Sequence, residues 1–253
     1  MNILEKILNV KRQEIQQIKD FEFGEMAGQN RSLKDALSKP EISVIAEIKM
    51  KSPSEGEIFS YADPAQIAKG YESAGAAAIS VLTDQSFFGG SLDILKSVRD
   101  AVSIPVIRKD FIIDQKQISE TIHYNGDAFL LIADALDQDS LQQLMNFGEM
   151  AGLEFLVEYH AEKHAEYIFA LNPEIVGINC RNLKTMATDI TYFEKMISSL
   201  PSNSVKVAES GIHTSDDLEY VSDLGYDAAL IGTSLMKTGN PEKALETLLG
   251  KIS

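Results

Sequence analysis

Eight short apolar runs, each separated from the next by a stretch of helical period, constrain this chain more than any other feature. They are Ser43–Ile48, Ala76–Leu82, Ile104–Ile107, Ala128–Ile132, Glu154–Val157, Glu174–Ile178, Val205–Ala208 and Ala228–Ile231. Between and after them lie amphipathic segments at Pro64–Ser73, Leu92–Ala101, Gln115–His123, Ser140–Met150, Ala161–Ala170, Tyr192–Ser199, Ser215–Leu224 and Pro241–Leu249. Asp63, Asp139 or Ser140, Thr214 and Asn240 stand where helix N-caps are expected. Runs apolar on both faces with helical crossovers specify a parallel sheet. Eight such units in a row favour a closed α/β barrel, a (β/α)8 TIM barrel, over a doubly wound sheet of five or six strands.

No G-x-G-x-x-G follows the first run, and no Walker A lysine loop is present, which weakens a nucleotide-binding reading. The 253 residues fit one such domain, with a barrel over 41–253 and a helical extension over 1–40. In the extension Ile3, Ile7, Val10 and Ile15 recur at helical spacing beside Leu4, Leu8 and Ile18. That helix is expected either to plug the barrel floor or to form a lid or wall of the substrate site.

Composition narrows the function classes. A formal net charge of −15 lacks the basic footprint of nucleic-acid binding, so an anionic ligand must meet cations gathered locally. The single cysteine, Cys180, allows no intramolecular disulfide and reads as a small buried residue. Met1 to Lys19 has no continuous apolar stretch of a signal peptide, and no run approaches a membrane span. A reducing, cytoplasmic setting is expected. The histidines His123, His160, His164 and His213 show no metal-ligand spacing and are expected at the surface or behind the site.

In such barrels the chemistry sits at the C-terminal strand ends. There the runs close on Glu47-Ile48-Lys49, Arg108-Lys109-Asp110-Phe111, Glu158, Asn179-Cys180-Arg181-Asn182, Glu209-Ser210-Gly211 and Gly232-Thr233-Ser234. Side chains two apart share a face, so Glu47 and Lys49 point the same way, and only one of Arg108 and Lys109 enters the mouth. Inward Glu47, Lys49, Lys109, Glu158 and Glu209 are expected to compensate one another, since unpaired buried charge is costly. Such a set suits acid–base chemistry on an anion. The small residues at 210–211 and 232–234 follow the seventh and eighth runs, where this barrel class frequently binds phosphate through backbone N–H groups.

Ile45-Ala46-Glu47-Ile48-Lys49 with Lys51-Ser52-Pro53-Ser54 and Arg108-Lys109-Asp110-Phe111-Ile112 resemble the indole-3-glycerol phosphate synthase family. So do the runs around Asn179, Glu209 and Gly232, and Ala78–Asp84 followed by Phe88-Gly89-Gly90-Ser91. The resemblance spans essentially the whole chain. It implies a carboxy-lyase of tryptophan biosynthesis that turns 1-(2-carboxyphenylamino)-1-deoxyribulose 5-phosphate into indole-3-glycerol phosphate, with no metal or organic cofactor. It further implies Lys109 as general acid, Glu158 as partner acid or base, and Lys49 on the substrate carboxylate with Glu47 orienting it. Asn179, Arg181, Glu209 and Ser210 would line the same pocket, Ser52, Gly211, Gly232 and Thr233 would hold phosphate, and Phe111 and Leu130 would flank the aromatic ring. Lys51 and Arg181 are expected to add to the positive mouth, and the loop from Met50 to Tyr61 to be mobile when the site is empty. The chain is expected to act as a monomer or weak homo-oligomer. A phosphoribosylanthranilate isomerase-like barrel would need a Cys/Asp pair, which Cys180 beside Asn179 does not supply. A non-catalytic phosphosugar-binding barrel would lack charges that are all present here.

Overall fold

Each of the eight apolar runs contributes a strand to one closed parallel barrel. The computed structural model describes residues 2–19, 30–52, 56–57, 63–182 and 187–251. The barrel strands are β1 (Ser43–Ile48), β2 (Ala78–Leu82), β3 (Val106–Lys109), β4 (Ala128–Ile132), β5 (Glu154–Tyr159), β6 (Ile175–Asn179), β7 (Val205–Glu209) and β8 (Ala228–Ile231). They pair in sequence order, and β8 closes on β1. Carrying the register from Ile45 through all eight pairings returns to the first strand at position 37, eight residues earlier. That stagger gives an eight-stranded parallel barrel its tilt and a side-chain-filled interior.

Four strands continue past the apolar run that announced them, β3 to Lys109, β5 to Tyr159, β6 to Asn179 and β7 to Glu209. Ladder bonds are made by backbone and are indifferent to the side chain they carry. The carbonyls of Lys109 and Glu209 still accept from Thr83 N (3.1 Å) and Cys180 N (3.0 Å). The polar residues therefore sit on regular strand, which fixes their directions more tightly than loops would.

Helix boundaries differ by more than one residue in three places. The helix expected from Ser140 begins at Gln138, because the Asp137 side chain accepts from Ser140 N at 2.8 Å and makes Asp137 the cap. The 161–170 segment is a 3-10 turn (Glu162–His164) followed by Ala165–Leu171, and the 192–199 segment is Tyr192–Met196 followed by a 3-10 turn. Asp63, Thr214 and Asn240 cap as expected. A two-residue hairpin, Lys51–Ser52 with Gly56–Glu57, stands beyond β1. The remainder of the Met50–Tyr61 loop lies outside the described residues.

Two apolar layers follow from strand alternation. Outward residues such as Val44, Ile79, Phe129 and Val157 pack beneath the helices, while Ile45, Ile107, Leu130, Leu156, Val207 and Leu230 fill the barrel. The short helix Leu33–Leu37 closes the floor, with Leu33 and Leu37 fully buried in that inner cluster. Each burial contributes about 1.5–3 kcal/mol.

The helix Ile3–Ile15 lies at the opposite end, the mouth, where Ile3, Leu4 and Ile7 line a pocket. The wall reading of the extension therefore holds, and the floor is closed by a different segment. Its anchor is Lys11, whose ammonium is buried and lies 2.7 Å from Glu14, 3.1 Å from Asp84 and 2.9 Å from Asp110. Burial opposes that charge, yet Asp110, Glu14 and Asp84 outweigh it and raise the ammonium above its ordinary value. Lys11→Met would leave Asp84 facing an apolar side chain. We expect about 3–5 kcal/mol of lost stability, read as a lowered urea midpoint.

Candidate active site

Above the apolar plug the inward positions turn polar. On β1 Ile45 is succeeded by Glu47 and then Lys49, on β3 Ile107 by Lys109, on β5 Leu156 by Glu158, and on β7 Val207 by Glu209. Side chains two apart share a face, so each strand that packs the core with one residue delivers the next into the mouth.

The five groups meet. Lys109 Nζ lies 3.2 Å from Glu209 Oε2, 3.3 Å from Glu47 Oε2 and 3.9 Å from Glu158 Oε2. Glu47 Oε1 takes Lys49 Nζ at 2.8 Å, and Lys49 also donates to Thr233 Oγ1 at 3.0 Å. Asn179 Nδ2 donates to Glu158 Oε1 at 3.0 Å, while its own Oδ1 accepts from Arg181 N. Burial disfavours charge on Lys109, but Glu209, Glu47 and Glu158 together drive its ammonium well above the ordinary lysine value. Burial likewise disfavours the Glu47 carboxylate, and Lys49 and Lys109 overcome it, holding Glu47 down to about 2. Glu209 behaves oppositely: burial and the Glu158 charge raise its carboxyl despite Lys109. Paired charge in a dry pocket can have either sign of shift, and the local balance decides it.

Arg108 takes the outward direction that alternation requires. It is buried beneath the helix Gln115–His123, donating to Gln117 O at 2.7 Å and pairing with Asp110 and Glu120 at 3.1 Å each. Asp110, held to about 2 against its burial by Arg108 and Lys11, joins this cluster to the anchor of the N-terminal helix.

The pocket has an apolar side and a small-residue side. Phe111, Leu130, Ile132 and Phe88 line it together with Ile3, Leu4 and Ile7. The Phe88 and Phe111 rings stand 6.2 Å apart at 33°. Across from them are Ser210, Gly211, Gly232, Thr233 and Ser234, with Ser234 Oγ donating to Ile212 O at 3.2 Å to join the two loops. Ser210 and Gly211 both have left-handed backbone, φ 71° and 74°. A non-glycine residue in that region stores strain, which clusters where a ligand is gripped.

Most expected site residues thus line one cavity: Glu47, Lys49, Lys109, Phe111, Leu130, Glu158, Asn179, Arg181, Ser210, Gly211, Gly232 and Thr233. Glu209 lies beneath it, fully buried against Lys109. The backbone of Ser52 pairs in the small hairpin, and its side chain lies outside the described atoms. Lys51 is exposed on that hairpin and is not among the lining residues. Sequence reasoning missed Ile3, Leu4 and Ile7 as lining residues, and Phe88, Ile132 and His213 with them. His160 stands behind the site, one of the two expected places for it, with its ring Nδ1 2.8 Å from Asn179 O. Among the described residues there is no group of three or more His, Cys, Asp or Glu arranged to hold a metal, and no helix long and apolar enough to cross a membrane.

A family model described as indole-3-glycerol phosphate synthase matches residues 4–248. An indole-3-glycerol phosphate synthase of Halalkalibacterium halodurans is 43% identical over 251 residues, covering 98% of this chain and 97% of that protein. One from Mycolicibacterium gilvum is 46% identical over 214 residues, 85% and 79% of the two chains. Among solved structures, a thiamine phosphate pyrophosphorylase from Pyrococcus furiosus matches with a TM-score of 0.61 at 16% identity, over 87% of this chain and 96% of that one. A tryptophan synthase complex from the same organism matches with a TM-score of 0.61 at 12% identity, over 82% and 98%. These two likenesses bear on the fold alone.

The carboxyl shifts carry a stability consequence with a definite sign. Glu47 and Asp110 are depressed in the folded state to about 2 from ordinary values of 4.5 and 3.8. Between those limits the unfolded chain binds more protons, so their stabilisation is full above the ordinary values and is lost as pH falls toward about 2. Urea midpoints are expected to drop steeply across that window in the wild type. Glu47→Gln and Asp110→Asn should start lower at neutral pH and fall less.

Proposed function

The chain belongs to the indole-3-glycerol phosphate synthase family, and on that premise we propose how its site residues divide the reaction. The activity is that of a carboxy-lyase of tryptophan biosynthesis: a phosphorylated anthranilate-derived ketose is closed, decarboxylated and dehydrated to an indole. The observation that carries the division of labour is Lys109, an ammonium held charged by three carboxylates at the centre of the pocket.

Ring closure joins the aromatic carbon bearing the carboxylate to the keto carbon, and negative charge develops on the keto oxygen. Lys109 donates its proton there, the task of a positioned general acid in a desolvated site. Lys49 holds the substrate carboxylate until carbon dioxide departs and the ring regains aromaticity. Glu47, bonded to both lysines, keeps the two ammoniums apart and oriented. Dehydration then expels the new hydroxyl as water while the neighbouring ring carbon gives up a proton, and Glu158 handles that transfer with Asn179 fixing its carboxyl. Arg181 and Ser210 contact the substrate from the small-residue side.

The phosphate is assigned to the loops at Gly211 and at Gly232-Thr233, where unencumbered backbone N–H groups can approach an anion, with Ser52 as a further contact. Bound there, it supplies remote binding energy that fixes the reacting atoms. The aromatic ring lies against Phe111 and Leu130, with Phe88 and the N-terminal helix extending the wall. We read the enzyme as cytoplasmic, acting as a monomer or weak homo-oligomer on a phosphorylated small molecule, with neither metal nor organic cofactor.

The chain has no tryptophan, so newly formed indole stands out against a tyrosine background. Adding the carboxyphenylamino-deoxyribulose phosphate to wild type should give growing indole fluorescence. Lys109→Ala should lose about 10²–10⁴ in kcat, the usual worth of a general acid. A folded wild type that forms no indole would overturn the reading.

A further inference from the structure

We infer that Glu158 and Glu209 share one proton in the substrate-free site. The inference concerns the same pocket and rests on the proposed function for its consequence, though not for its evidence.

The first observation is geometric. Glu158 Oε2 and Glu209 Oε1 are both shielded from solvent, and neither accepts a hydrogen bond. The Glu209 side chain is fully buried, and that of Glu158 is only 6% exposed. Two orphaned carboxylate oxygens in one dry site are costly if both groups are ionised. A single proton between them turns one oxygen into a donor and satisfies both.

The second observation explains how they come together. Glu158 is on β5 and Glu209 on β7, with β6 between. The inward residue of β6 paired with Glu158 is Gly177. A Cβ built at Gly177 would collide with Glu209 Oε1. The missing side chain leaves the space that Glu209 Oε1 occupies over β6, at the residue paired with Glu158.

The third is charge balance. β1 presents Glu47 and Lys49 to the cluster, β3 presents Lys109, β5 Glu158 and β7 Glu209. β2, β4 and β8 present the uncharged Ser80, Leu130 and Gly232, and β6 presents Asn179, with Arg181 just beyond it at the pocket edge. Lys49 is engaged by Glu47 and Thr233, and Lys109, which Glu47 also contacts, is among the described lysines the one within 4 Å of both Glu158 and Glu209. One bound proton brings that pair to a single negative charge against one ammonium. Burial and the Glu158 charge both raise the Glu209 carboxyl, in the direction the sharing requires.

In the proposed dehydration the shared proton supplies the hydrogen that leaves with the hydroxyl, and the carboxylate pair so emptied takes the proton that the ring carbon gives up.

Infrared difference spectroscopy of the ligand-free protein across a pH titration tests this. The expected result is one protonated-carboxyl carbonyl band at neutral pH, well above ordinary carboxylate titration, lost in Glu209→Gln and equally lost in Glu158→Gln. Absence of the band in folded wild type overturns the inference without any variant. Persistence in either variant also overturns it, because the remaining carboxyl would then hold the proton alone. Turnover is not the readout: indole formation without the band would leave the functional reading intact and remove only the shared proton.

Discussion

A half-buried ammonium held among three carboxyl groups is the constraint on which the rest of this structure depends. Lys109 loses most of its water and is repaid only if Glu47, Glu158 and Glu209 stand within about four ångströms of it. Those groups come from β1, β5 and β7, strands remote in sequence from β3 and from one another. Nothing short of a closed sheet with the right stagger brings four such strand ends to one point. The eight-residue shear does this, because it puts inward residues of alternate strands, here β1, β3, β5 and β7, in one layer. Hydrophobic packing of Ile45, Ile107, Leu156 and Val207 supplies the stability. The ionic cluster one step above specifies which stagger is compatible with a satisfied interior.

β3 ends between two ionic clusters of opposite purpose. Inward, Lys109 faces the pocket. Outward, Arg108 and Asp110 form a second buried set with Lys11, Asp84 and Glu120. Lys11 belongs to the N-terminal helix, so the wall made by Ile3, Leu4 and Ile7 is referenced to the residue adjoining Lys109. An apolar wall held only by burial could slide along the mouth. One tied by a charged hydrogen-bonded anchor has a register, a use to which buried polar contacts are well suited.

Much of this was legible in the sequence, and the illegible parts have physical reasons. Period-two alternation on Glu47-Ile48-Lys49 placed both charges on one face, and the exclusion of Arg108 by Lys109 followed from the same rule. Strand ends were read short because hydrophobicity marks burial in an apolar layer, whereas the ladder continues through Lys109 and Glu209 on backbone bonds alone. The extension's helical period identified an apolar face without saying which layer of the barrel it covers. Lys11, one of two lysines on that helix, gives no local sign that it will be buried; its partners Asp84 and Asp110 lie 73 and 99 positions away. Phe88 sits on a one-turn helix too short to show periodicity. Gly177 looks like an ordinary strand glycine until the position of Glu209 is known.

A chain with a net charge of −15 that receives a phosphate and a carboxylate poses an electrostatic problem. The solution is division of labour within one mouth. In the proposed assignment the phosphate goes to small residues whose backbone dipoles can bind an anion without any fixed charge to be buried when the site is empty. The proposed carboxylate side uses lysines, whose charge is needed for the proposed chemistry and is therefore present in the empty site, where carboxyl groups must neutralise it. Those carboxylates would repel the substrate if all were ionised. Giving one of them a proton keeps Lys109 charged and solvated by protein while removing the excess repulsion. The arrangement that makes the empty site tolerable is thus the one that lets an anion enter it.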